Sequence, residues 1–132
     1  MSYGITTTID QPFAGTLAAV RDALAGQGFG VLTEIDLTAT MQAKLGVDIA
    51  PQVILGACNP ELAYRALQAE EQIGLLLPCN VVVRSLSESR TLVSAIDPQI
   101  LVDVTGNADV TAVAADASAR LRFVLGSLTP AT

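Results

Sequence analysis

Histidine and tryptophan are absent from this chain, and lysine occurs once, at Lys44. Without imidazole the chain alone cannot build a Ser-His-Asp or Cys-His nucleophile pair. Zinc sites that use imidazole are excluded too, and two cysteines cannot complete a four-cysteine site within one chain. A general acid or base near neutral pH would have to be a buried carboxylate, a thiol or Lys44. A hydrolase of common design is therefore not expected, and no catalytic residue, metal ligand or cofactor is assigned. Charge is also scarce, with 15% charged residues, and Lys+Arg 7 against Asp+Glu 13 leaves a net charge of −6. That balance disfavours nucleic acid or an anionic membrane as the main partner. No apolar run approaches the ~20 residues that span a bilayer. Met1-Ser2-Tyr3-Gly4 lacks the basic, then apolar, opening of a signal peptide. Two cysteines without a secretion signal are expected to be reduced thiols, which points to the cytoplasm.

What the chain does have is apolar residues, 51% of 132, and this excludes intrinsic disorder. A chain of this length buries roughly two thirds of its unfolded surface and needs no disulfide or metal to fold. Residues 1–132 are expected to form a single domain, with 129–132 a loose tail.

Residues 5–9 alternate apolar and polar and read as a strand. Asp10-Gln11-Pro12 opens a helix, with Pro12 in its first turn and Asp10 or Gln11 as its cap, and Phe13, Leu17, Val20 and Leu24 recur on one of its faces until Gly26 and Gly28 end it. Phe29 to Ile35 reads as a second strand. Asp36 caps a short helix that stops at Gly46. In the strand Gln52–Ala57, Val53-Ile54-Leu55 is unbroken and rich in β-branched residues, the mark of a strand covered on both faces. Asn59-Pro60 caps a third helix, with Leu62, Ala66, Leu67 and Ala69 facing inward. Cys79–Leu86 and Arg90–Ile96 form a hairpin around Ser87-Glu88-Ser89. Asp97-Pro98 starts a helical turn, and Val110, Val113, Ala117, Leu121, Val124 and Leu128 repeat at helical spacing. The order β-α-β-α-β-α-β-β-α predicts a two-layer α+β domain, a mixed sheet of about five strands with helices packed on it.

Two segments carry candidate chemistry. Cys58 lies between a strand end and a helix start, where backbone N–H groups and the helix dipole favour a thiolate; the plain alternative is a small buried core residue. Asn59 and Pro60 are the residues placed to support such a site. Cys79 stands where a loop enters a strand, followed by Asn80, with a core-facing cysteine as the alternative. Twenty residues separate the cysteines. If the intervening helix returns the chain to an antiparallel neighbour, the thiols meet at one end of the sheet. A parallel crossover puts them at opposite ends, beyond the ~6 Å Cα separation of a disulfide. Asp97, with Glu70-Glu71, is the nearest carboxylate and reads most simply as a helix cap. Gly26-x-Gly28-x-Gly30 follows a helix instead of preceding one, so it is no dinucleotide fingerprint. Arg120 and Arg122 read as surface charges.

The segments Val53-Ile54-Leu55-Gly56-Ala57-Cys58-Asn59-Pro60, Ile73-Gly74-Leu75-Leu76-Leu77-Pro78-Cys79-Asn80 and Asp97-Pro98 resemble the family known as domain of unknown function 302. The likeness spans nearly the whole chain and is most specific at Asn59-Pro60, Leu77-Pro78 and Asp97-Pro98. It implies a small prokaryotic α+β domain, dimeric and without an assigned reaction. Many members of that family have apolar-Gly before the Asn-Pro step, where this chain has Ala57-Cys58. The cysteine pair then looks like a subgroup feature, and the resemblance carries over no catalytic residue.

The expected function is that of a cytoplasmic binding or accessory domain, homodimeric and non-catalytic, with a small-molecule or protein partner. The apolar composition suits a subunit interface or ligand cleft. The alternative is a thiol-based redox or sulfur-carrier protein using Cys58, Cys79 or both. A metal site made of both cysteines from two chains is a third reading, disfavoured because four-cysteine sites usually show closely spaced pairs.

Overall fold

The computed structural model describes residues 2–128; the expected loose tail at 129–132 lies outside the described residues. Five strands form one sheet: β1 Gly4–Ile9, β2 Gly30–Asp36, β3 Gln52–Cys58, β4 Cys79–Ser87 and β5 Arg90–Ile96. Five helices connect or follow them: α1 Phe13–Gly26, α2 Leu37–Leu45, α3 Pro60–Ala69, α4 Gln99–Thr105 and α5 Thr111–Ser127. Short 3-10 turns at Ile73–Leu76 and Ala108–Val110 complete the order.

The expected two-layer α+β architecture is present, but the sheet is not mixed. Its order is β1-β5-β4-β3-β2, and every neighbouring pair is antiparallel. The reason lies in where each connection lands. The segments holding α2 and α3 return the chain to the adjacent strand, as a hairpin does. The one true crossover, through α1, carries the chain from one edge strand to the other, so β1 and β2 never become neighbours.

Register then sorts the side chains. Val53, Leu55 and Ala57 of β3 lie beside Val83, Val81 and Cys79 of β4 on one face, all at most 9% exposed. Val93 and Ala95 of β5 continue the same layer. Val20 and Leu24 of α1 and Leu121, Val124 and Leu125 of α5 pack onto it. A second packed cluster joins α3, α4 and α5 through Leu62, Ala66, Leu101, Val113 and Ala114. The helices of the core cover one face, so Val53-Ile54-Leu55 is not covered on both sides, and Ile54 points away from the core.

Local chemistry explains the element ends. Asp36 accepts from the Ala39 N–H at 3.0 Å and begins α2, while Gly46 ends it in the left-handed region at φ 65°. The start of α1 is held differently from expectation. Neither Asp10 nor Gln11 caps it; Thr16 Oγ1 bonds the Pro12 carbonyl at 2.9 Å and Thr91 Oγ1 bonds the Gln11 carbonyl at 2.8 Å. Both hydroxyls are fully buried, and a buried hydroxyl needs such a partner. On α3, Leu67 is exposed where an inward position was expected, whereas Leu62 and Ala66 are buried.

Candidate functional site

The antiparallel return from β3 to β4 decides the placement of the cysteines. Cys58 is the last residue of β3 and Cys79 the first of β4, and Cys79 pairs with Ala57, the neighbour of Cys58. The two thiols therefore sit at the same end of the sheet. Both line one apolar cleft of about 40 Å³, floored by the strand ends and Phe29 and roofed by α3, α4 and α5. Ala63 and Ala66 of α3 and Ala114 and Ala117 of α5 line the roof. These small side chains leave the space open; no periodicity rule marks them as cleft residues, because a helical stripe of alanine reads equally as close packing.

Cys79 is buried and Cys58 half-buried. Burial, with the charge of a Cys58 thiolate added, pushes the Cys79 thiol up from an ordinary 9.0 to about 11. Cys79 is thus a neutral thiol at physiological pH and a poor nucleophile.

The donors expected to steady a thiolate beside α3 are largely committed. Pro60 has no N–H, Asn59 Oδ1 accepts the Leu62 N–H at 3.2 Å, and the Ala63 N–H bonds the Asn59 carbonyl at 2.9 Å. The Nδ2 of Asn59 in turn donates to the Gln27 carbonyl at 3.3 Å, which also accepts from Arg120 Nη1 at 3.3 Å. Asn59 thus ties the α1–β2 turn to the start of α3. Gly28, at φ 82°, completes this contact: a Cβ there would lie 2.9 Å from Asn59 Nδ2.

Of the residues singled out from sequence, Cys58, Asn59 and Cys79 come together at the cleft. Pro60 starts α3 and is exposed. Asn80 sits on β4 opposite Gly56, on the outer face of the sheet. Asp97 lies elsewhere: its Oδ1 accepts the Gln99 N–H at 3.0 Å, and its Oδ2 accepts from Arg122 Nη2 at 3.1 Å. It works as a cap and an ion-pair partner.

Arg120 is no isolated surface charge, since with Arg65 it grips Asp116. These two guanidinium groups hold the Asp116 carboxyl below its ordinary value, chiefly through the Arg65 hydrogen bond and then that of Arg120. Among the described residues no three side chains of the metal-binding types converge, and no helix is long and apolar enough to cross a membrane.

The family model for a domain of unknown function, DUF302, matches residues 5–128. The chain belongs to the DUF302 family. A crystal structure of an uncharacterized conserved DUF302 protein from Bacillus stearothermophilus is similar over 96% of this chain and 98% of that chain. The identity is 31% and the TM-score 0.87. No curated protein matches the chain. The three proline steps that mark this DUF302 chain all have architectural duties here. Asn59-Pro60 caps α3, Asp97-Pro98 starts α4, and Pro78 presses on Gly56, where an added Cβ would be 2.9 Å from Pro78 Cγ.

Proposed function

We propose that this DUF302 chain is a non-catalytic binding domain whose ligand site is the apolar cleft between the strand ends and α3, α4 and α5. One observation carries the reading. The cleft offers no uncommitted charged or hydrogen-bonding side chain besides two thiols, one of them held neutral by burial. Asn59, its other polar residue, is used at both ends of its amide. Such a lining recognises a small uncharged ligand through dispersion and soft sulfur contact. At about 40 Å³ the cleft is well below the roughly 150 Å³ that admits benzene, so the ligand is small or enters by displacing the half-buried Cys58 and Pro78 rim.

Xenon is a suitable probe, because it enters dry apolar cavities. Amide spectra under xenon pressure should show saturable shifts at Cys58, Ala63, Cys79 and Ala114. Ala63→Leu, which fills the cleft from its half-buried side, should abolish them. A flat response, or shifts confined to another part of the molecule, counts against the site.

The domain works as a cytoplasmic homodimer in this reading, with the exposed apolar residues of the sheet closing on a partner. Sedimentation velocity tests that directly.

A second reading is favoured by one specific observation, that both cysteines line the same cleft. Cys58, the more accessible thiol, would then carry sulfur, or the two thiols would close a disulfide, losing their protons and passing two electrons to a disulfide of a partner protein, which is reduced to two thiols. Intact mass after brief native alkylation separates the two readings: a fast-labelling Cys58, or a mass gain of about one sulfur atom as isolated, favours thiol chemistry.

A further inference from the structure

The outer face of the sheet carries an ordered set of side chains. Its middle row runs across all five strands as Ile35, Ile54, Val82, Ser94 and Thr6. The row nearer the β4–β5 hairpin holds Gln52, Arg84, Leu92 and Thr8, and the row at the cysteine end holds Thr33, Gly56 and Asn80. Ile35, Ile54, Val82 and Leu92 belong to neither packed cluster, and Ile35 is 46% exposed. On two of the three interior strands, β3 and β4, Val53-Ile54-Leu55 and Val81-Val82-Val83 are unbroken apolar runs, the pattern of strands covered on both sides. The helices of the core supply cover on one side only.

We infer that a second copy of this chain covers the outer face, the two sheets packing face to face about a two-fold axis. The inference rests on the homodimer reading above and names its surface. Area is the first argument. Five strands ~4.8 Å apart, each giving about six residues at ~3.4 Å, offer ~500 Å² per copy and ~1,000 Å² in all, which reaches the floor for a specific interface. Layout is the second: the middle row is apolar on three of its strands and the flanking rows are mostly polar, as the core and rim of an interface are. A face that meets its own copy must be complementary to itself, and stacked sheets meet that demand at ~10 Å separation.

Charge is the third argument. The chain has 13 acidic residues and a net charge of −6, so two copies repel, yet none of the three rows contains a carboxylate. Glu34 and Asp36 of β2 pair with Leu55 and Val53 and so point to the other side. Within these rows the one charge is Arg84, in a flanking row where it stays hydrated at the rim. It makes no ion pair among the described residues.

Sedimentation velocity over about 1 to about 100 µM protein tests this, on the full chain and three variants. The full chain should be a dimer. Val82→Glu, which buries a carboxylate against its symmetry mate, should raise the dissociation constant ~100-fold or more. Ile54→Thr keeps the β-branched shape and should raise it about tenfold; it decides the matter if Val82→Glu fails to fold by circular dichroism. Phe123→Glu, on the 62%-exposed helical side, should leave the dimer intact. A monomeric wild type overturns both the homodimer reading and this inference. A wild-type dimer that survives Val82→Glu and Ile54→Thr, or one that Phe123→Glu dissociates, overturns the assigned face and leaves the homodimer standing.

Discussion

Cys79 offers the most direct test of whether the cleft binds or reacts. Its thiol titrates at about 11 instead of 9.0, because burial strips the thiolate of water and a Cys58 thiolate would add its own repulsion. Near neutral pH the thiolate fraction is therefore about a hundredfold lower than for an unshifted thiol, before restricted access is counted. Native alkylation with iodoacetamide, followed peptide by peptide in a mass spectrometer, should label Cys79 at least ~100 times more slowly than in the urea-unfolded chain.

The same shift has a stability consequence with a definite sign. Below pH 9 both folded and unfolded chains hold the proton, and stability is untouched. Between pH 9 and 11 the unfolded chain releases it while the folded chain keeps it, so stability falls, by up to ~3 kcal/mol at the alkaline limit. Cys79→Ala has no proton to release. It should start about 1–2 kcal/mol less stable at neutral pH through lost packing and a larger cleft, and its curve should meet that of the wild type between about pH 9.5 and 11 and lie above it beyond. Urea unfolding across this range, with wild type and variant side by side, isolates the contribution of Cys79. Parallel curves, or native labelling of Cys79 at the rate of an unfolded thiol, would refute the reasoning and give the cleft to thiol chemistry.

Other outcomes follow from single contacts. Asn59→Ala removes the α3 cap and the bond to the Gln27 carbonyl; chemical denaturation should show a loss of about 1–2 kcal/mol, and a loss below ~0.3 kcal/mol would deny Asn59 that role. Gly56→Ala forces a Cβ into Thr33 Oγ1 and to 2.9 Å from Pro78 Cγ, so it should cost about 1–3 kcal/mol. Combining it with Thr33→Ala should recover part of that loss, since only Pro78 then remains in the way. Asp116, held ionised by Arg65 and Arg120, adds stability at neutral pH that fades as pH falls below the ordinary 3.8 toward its lowered value. Its partial exposure keeps the contribution small, and Asp116→Asn should flatten the acid limb of the unfolding curve.

Much of the fold was legible because it follows local rules. Asp36, Asn59 and Gly46 mark helix ends through their own hydrogen bonds and φ angles, and the α5 stripe from Val110 to Leu128 is wholly buried. The parallel or antiparallel sense of the sheet was not legible. An element order states that a helix separates two strands, whereas only the landing position of that helix tells a crossover from an extended hairpin. The cleft depended on the same unknown, because the meeting of Cys58 and Cys79 required β3 and β4 to be antiparallel neighbours. Its alanine roof carries no signal of its own; strand alternation turns the Asn80 side chain to the face opposite Cys79, and Asp97 is taken up by the start of α4 and by Arg122.

The three proline steps by which this chain resembles its family bear on function in an unexpected direction. Asn59-Pro60, Leu77-Pro78 and Asp97-Pro98 each fix a junction: a cap tied to the α1–β2 turn, a ring seated on Gly56, and a helix start locked to Arg122 on α5. Their duties are met entirely within the chain, so a relative that shares them shares the frame and need not share the ligand. The residues that vary the chemistry must then be those the frame positions without using. At this end of the sheet those are Cys58 and Cys79, whose sulfur atoms take no part in any cap or junction. Replacing both by alanine should therefore leave the topology and the Asn59 contacts intact while changing what the cleft admits. If the double variant instead lost the fold, the cysteines would belong to the frame.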